Sequence, residues 1–158
     1  MADAKTTTKR TSAKGKSANV WTDEERAAMA ESARERKASS KLSPEEERAQ
    51  GEADIRAKIA EMTDAERTIA ERIHELVALH APAFVPRTYY GMPAYSKGGK
   101  TICFFQPASK FKVRYCTFGF QPDAAIDEGD MWPVAFAVTK LTPAVEKRMV
   151  ELIEKAAA

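Results

Sequence analysis

Cysteine and histidine are scarce in this chain, two of each in 158 residues, and that scarcity excludes much chemistry. Cys103 and Cys116 do not have C-x-x-C spacing, and only His74 and His80 could add nitrogen ligands. A structural zinc centre normally needs four such donors, so two small buried hydrophobes is the better reading of the cysteines. There is no glycine-rich phosphate loop and no serine or cysteine in a nucleophile elbow, so no catalytic residue can be named. No run of 18 apolar residues occurs, and none of signal-peptide length follows the basic start. Membrane spanning and export are therefore disfavoured, a cytoplasmic location is expected, and the thiols are read as reduced. An excess of one charge is also missing: 25 basic against 23 acidic residues leave a formal net charge of +2. Such a balance gives no reason to expect nucleic acid or a membrane along the whole molecule.

What is present suits one globular domain, with 44% hydrophobic residues. The first residues carry Lys5, Lys9, Arg10, Lys14 and Lys16 against Asp3, without large apolar side chains. This predicts a disordered basic tail over 1–21, making at most weak, salt-sensitive contact with phosphates. Thr22-Asp23-Glu24-Glu25, Ser43-Pro44-Glu45-Glu46 and Thr63-Asp64-Ala65-Glu66 each read as a capping box. They predict helices over about 23–37, 44–61 and 64–80. The first has little to bury, leaving Val20 and Trp21 to dock it; the second is weakened by Gly51; the third, with Ile69, Ile73, Leu76, Val77 and His80 at helical spacing, is the principal core helix.

Beyond Pro82 the period shortens, predicting strands near 93–97, 101–106, 112–119 and 133–138, with turns at Lys97-Gly98-Gly99-Lys100 and Pro107-Ala108-Ser109-Lys110. The last strand, apolar at every position after Pro133, is expected to be covered on both faces. Residues 121–132 form a loop, and Thr142-Pro143 begins a final helix to about 155. The class is α+β: an antiparallel sheet of four or more strands flanked by helices, with residues 22–62 as a helical N-terminal extension and 63–158 as the main domain.

From about Thr63 onward, and most specifically in Tyr90-Gly91-Met92-Pro93-Ala94-Tyr95, Cys103-Phe104-Phe105 and Met131-Trp132-Pro133-Val134-Ala135-Phe136, the chain resembles the YdhG-like family of small bacterial proteins. The resemblance implies a curved antiparallel sheet packed by helices. One branch of that family is described as frataxin-like iron chaperones, which makes iron the cofactor it implies. Frataxin-type binding relies on an acidic ridge, whereas the acids of these helices are interleaved with Arg48, Arg56, Lys58, Arg67 and Arg72.

The residues themselves offer three candidate sites. Tyr90, Met92 and Tyr95, around a Gly-Met-Pro turn, are either a packed aromatic collar or the lining of a ligand pocket, with Trp132 as a further ligand-facing candidate. Lys110, Lys112 and Arg114 alternate into a strand and would share one face. With Lys97 and Lys100 they would make a cationic rim for a carboxylate or phosphate, or simply a solvated edge. Asp127, Glu128 and Asp130 are the densest acids in a loop and the first place to seek a hard cation, although EF-hand spacing is absent. The function expected is a non-enzymatic binding protein for a small molecule or metal. The alternatives are an interaction module built on the N-terminal extension, or an enzyme acting on a small anion.

Overall fold

The helices begin where a hydroxyl side chain can accept an orphan amide. A computed structural model describes residues 20–39 and 41–158, except for the side chain of Ser39. Most of the tail predicted over 1–21 thus lies outside the described residues. Helix α1 (Asp23–Ser39) follows Thr22, whose Oγ1 accepts from the Glu25 amide while Glu25 accepts from the Thr22 amide. Ser43 and Thr63 form the same reciprocal box at the starts of α2 (Pro44–Ala60) and α3 (Asp64–His80), and Thr142 caps α4 (Pro143–Ala157).

Among the described residues, five strands form an antiparallel meander in sequence order: β1 (Val85–Tyr89), β2 (Met92–Lys97), β3 (Lys100–Gln106), β4 (Cys116–Phe120) and β5 (Ala135–Val138). The α+β class is as expected, but β1 was not anticipated. It turns the tyrosine-rich stretch into a hairpin, with Tyr89 paired to Met92 across a two-residue turn. Tyr90 and Gly91 have φ of 51° and 73°, the left-handed pair of a type I′ turn, whose twist matches that of the flanking strands.

Other expectations are corrected by packing. The strand predicted over 112–119 starts only at Cys116. The buried carboxylate of Glu66 accepts from both the amide and the hydroxyl of Ser109, and a 3-10 turn (Ser109–Phe111) follows, closed by Lys112 in the left-handed region. Lys110, Lys112 and Arg114 therefore share no strand face. Cys103 pairs with Phe120 and Cys116 with Val138, and both thiols are free and buried. Strand β5 is mostly exposed, because it forms an edge of the sheet rather than a covered strand.

One core unites α2, α3, α4 and the sheet. It contains Ile55 and Ile59 of α2, Ile69, Ile73, Leu76 and Val77 of α3, Met149, Leu152 and Ile153 of α4, and Cys103, Phe105, Phe118 and Phe120 of the strands. Full burial of such side chains stabilises by about 1.5 to 3 kcal/mol each, so α2 and α3 are firmly anchored. Gly51 makes the α2 contact possible: a Cβ there would lie 1.8 Å from the Pro86 carbonyl oxygen. The glycine that weakens the isolated helix lets it touch β1.

Helix α1 differs. Val20 and Trp21 are 81% and 56% exposed and do not dock it. Among its described side chains Ala28 and Ser32 are buried, and ion pairs from Glu24 and Glu31 tie it to Lys58, Lys110 and Lys112. No helix among the described residues is long and apolar enough to cross a membrane.

Candidate functional site

Three elements converge on His74. Helix α2 places Glu52 immediately after the Gly51 contact, α3 sets His74 beside the buried Ile73, and β2 contributes Tyr95. His74 Nε2 lies 2.9 Å from Glu52 Oε1, and Nδ1 lies 3.1 Å from the Tyr95 hydroxyl. The rings of His74 and Tyr95 stack with centroids 5.9 Å apart. Arg56, one turn after Glu52, binds the same carboxylate oxygen at 2.7 Å.

The electrostatics favour an ionised Glu52 and a neutral Tyr95. Burial pushes the Glu52 carboxyl up, but its hydrogen bond to His74 and the nearby His74 and Arg56 charges together hold it below the ordinary range. An ionised carboxylate only accepts, so Nε2 carries hydrogen. Burial raises the Tyr95 phenol well above its usual value, helped by the neighbouring Cys103 thiol and the Glu52 charge. The phenol remains protonated and shares a hydrogen bond with Nδ1, the tautomer of the imidazole deciding which of the two donates. The result is a chain from Tyr95 through His74 to Glu52 with every polar atom of the imidazole engaged.

His74 lines more than one cleft. One, of about 220 Å³, is lined by Arg48, Glu52, His74, Val77, Phe84 and Tyr95 among others. The other, of about 440 Å³, is bounded by Arg56, Ile59, Arg67, Glu71, His74 and Glu75. The smaller has the character of a ligand seat, apolar walls with a few placed polar groups.

Of the residues singled out in the sequence, only Tyr95 reaches this site. Met92 and Tyr95 alternate onto opposite faces of the sheet, and Tyr90 packs edge-on against Tyr89 at 4.5 Å, so the three do not gather in one pocket. Trp132 packs at the rim of the core. Arg114 lies 5.2 Å over the Tyr115 ring. Lys97 donates to the Ala157 carbonyl and Lys100 pairs with Asp123, at the end of the hairpin opposite Lys110. The cationic rim is thereby divided.

Lys110 and Lys112 instead meet α1. Lys112 pairs with Glu24, and Lys110 and Lys58 each lie 2.9 Å from one oxygen of Glu31. Glu35 accepts from the Gly91 amide at 2.9 Å. Asp127, Glu128 and Asp130 are exposed on their loop. Among the described residues, no three His, Cys, Asp or Glu side chains are grouped so as to hold a metal ion. His80 is bound to Glu154 at 2.8 Å.

The sequence reading missed Glu52 and His74 as partners. The available signals were the position of His74 at the border of the apolar stripe, where a polar side chain is half buried, and the Glu52-x-x-x-Arg56 pair. Comparison with family models, curated proteins and solved structures returns no match.

Proposed function

We propose that this protein is a non-enzymatic binding protein for a small, partly polar molecule, seated in the cleft floored by His74 and Tyr95. The observation that carries this reading is the Glu52–His74–Tyr95 chain facing an apolar-walled cleft of about 220 Å³. A ligand there meets Arg48 and Glu52 as charges of opposite sign and Val77 and Phe84 as apolar wall. Fixed polar groups of this kind give orientation, while the apolar wall supplies affinity.

Binding is favoured over turnover by the state of the reactive groups. The Tyr95 phenol is held protonated, the Cys103 thiol is pushed up by complete burial, and both His74 nitrogens are occupied. None is poised as a nucleophile or base. The YdhG-like resemblance is compatible with a ligand-binding role, and we carry the iron-chaperone role of its one branch no further, since no donor grouping among the described residues supports it.

The test is native mass spectrometry of the full chain purified without added ligand, followed by titration of any copurified molecule. His74→Ala is expected to weaken binding at least about tenfold, equivalent to about 1.4 kcal/mol, while Lys110→Ala binds normally. A bare protein mass, or equal binding by His74→Ala, would reject the reading.

A further inference from the structure

Helix α1 covers a set of donors that no core interaction requires. Lys58 Nζ and Lys110 Nζ, from α2 and the 3-10 turn, converge on the two oxygens of a single carboxylate, Glu31, each at 2.9 Å. The Gly91 amide beside them points to Glu35 at 2.9 Å. The Glu31 carboxylate occupies space that exists because residue 91 lacks a side chain: a Cβ on Gly91 would sit 1.7 Å from Glu31 Oε2 and 2.7 Å from Lys110 Nζ. A cleft of about 200 Å³ continues from this point, lined by Lys58, Glu61, Met62, Gly91, Ser109 and Lys110.

We infer that Lys58, Lys110 and the Gly91 amide form a binding site for a small phosphate-type anion, and that Glu31 and Glu35 of α1 occupy it as an internal competitor. The site is distinct from the His74 cleft and goes beyond the function proposed above.

Two ammonium groups and one backbone N–H suit a tetrahedral oxyanion, which can present a separate oxygen to each donor. Two carboxylates from successive turns of α1 are needed to satisfy the same three donors. The competitor is also built to leave. Among the described side chains of α1 only Ala28 and Ser32 are buried, Val20 and Trp21 stand in solvent, and the Glu24–Lys112 pair is exposed enough for salt to weaken it. The cations, by contrast, are held on firm structure: Lys58 lies between the buried Ile55 and Ile59, and Lys110 follows Ser109, which Glu66 holds through two hydrogen bonds. Glu61, 3.6 Å from Lys58, flanks the site without taking the place of Glu31. Anion binding and α1 docking are then mutually exclusive, and the ligand sets whether the N-terminal helix is attached.

The experiment titrates the full-length, 15N-labelled protein with inorganic pyrophosphate, with sodium chloride at equal ionic strength as the control. In the wild type, the Gly91 amide should shift and the α1 amides move toward coil positions, while β3 and β4 amides stay in place. Glu31→Gln combined with Glu35→Gln removes the competitor and should tighten pyrophosphate binding at least tenfold. Lys58→Met with Lys110→Met should weaken it at least tenfold with the sheet spectrum preserved. The inference is overturned if sodium chloride releases α1 equally, if Gly91 does not respond, or if the glutamine variant binds no more tightly than the wild type; the last two readouts stand even if the methionine variant fails to fold.

Discussion

Gly51 shows at the scale of one residue how tertiary contact reverses a local preference. An exposed helical glycine costs about 1 kcal/mol relative to alanine, so Gly51→Ala would ordinarily stabilise α2. Here the added Cβ would meet the Pro86 carbonyl oxygen at 1.8 Å and its carbon at 2.7 Å, and backbone cannot rotate away as a side chain can. The substitution should therefore destabilise the protein by about 1 to 3 kcal/mol, the usual cost of overpacking. A urea midpoint equal to or above the wild type would show that α2 slides freely over β1. Glu52 also depends on this contact, since the residue next to Gly51 reaches His74 only while α2 lies close against the hairpin.

Among the elements, α1 and α3 are 17 residues each and both begin with a capping box, yet they are attached in different ways. Helix α3 buries Ile69, Ile73, Leu76 and Val77, whereas α1 relies on Glu24, Glu31 and Glu35 for its anchors. Salt screens charge but leaves apolar burial in place; at about 1 M the screening length falls to about 3 Å. Amide hydrogen exchange in α1 should accelerate in high salt while that of α3 is unchanged, and equal protection in α1 at both salt concentrations would show that its docking is not electrostatic. The 3-10 turn Ser109–Phe111 marks the same dependence on partners. The sequence places a turn at 107–110 and a strand from 112, but Glu66 takes both Ser109 donors and the strand begins only at Cys116.

For the whole molecule, three carboxylates link the elements and set its behaviour in acid. Glu31 joins α1 to α2 and to the 3-10 turn, Glu52 joins α2 to α3, and Glu66 joins α3 to the 3-10 turn. Burial pushes each carboxyl up, but the combined bonds outweigh it: Lys110 and Lys58 for Glu31, His74 and Arg56 for Glu52, Ser109 and Thr63 for Glu66. All three end below the ordinary value of 4.5. A carboxyl lowered by folding stabilises fully above its unfolded value, and that contribution disappears as pH falls through the lowered one. Unfolding midpoints in urea should hold steady from neutrality down to about pH 5 and then drop, with a shallower drop in Glu66→Gln. A midpoint that rises on acidification would contradict the assignment.

The starts of the four helices among the described residues, the Gly98-Gly99 turn and the α+β class were legible in the sequence, because their signals act between near neighbours: a cap and its amide are three residues apart. Strand β1 was hidden by Pro86, which belongs to an edge strand and breaks the expected pattern. The sites were decided by tertiary structure alone. His74 finds Glu52 across 22 positions and Lys110 finds Glu31 across 79, and such pairings depend on register and helix docking that no local pattern specifies. Lys110 and Lys112 carried the right charge for an anion site in the sequence; only the fold supplied Lys58 and the Gly91 amide, and set α1 between them and solvent.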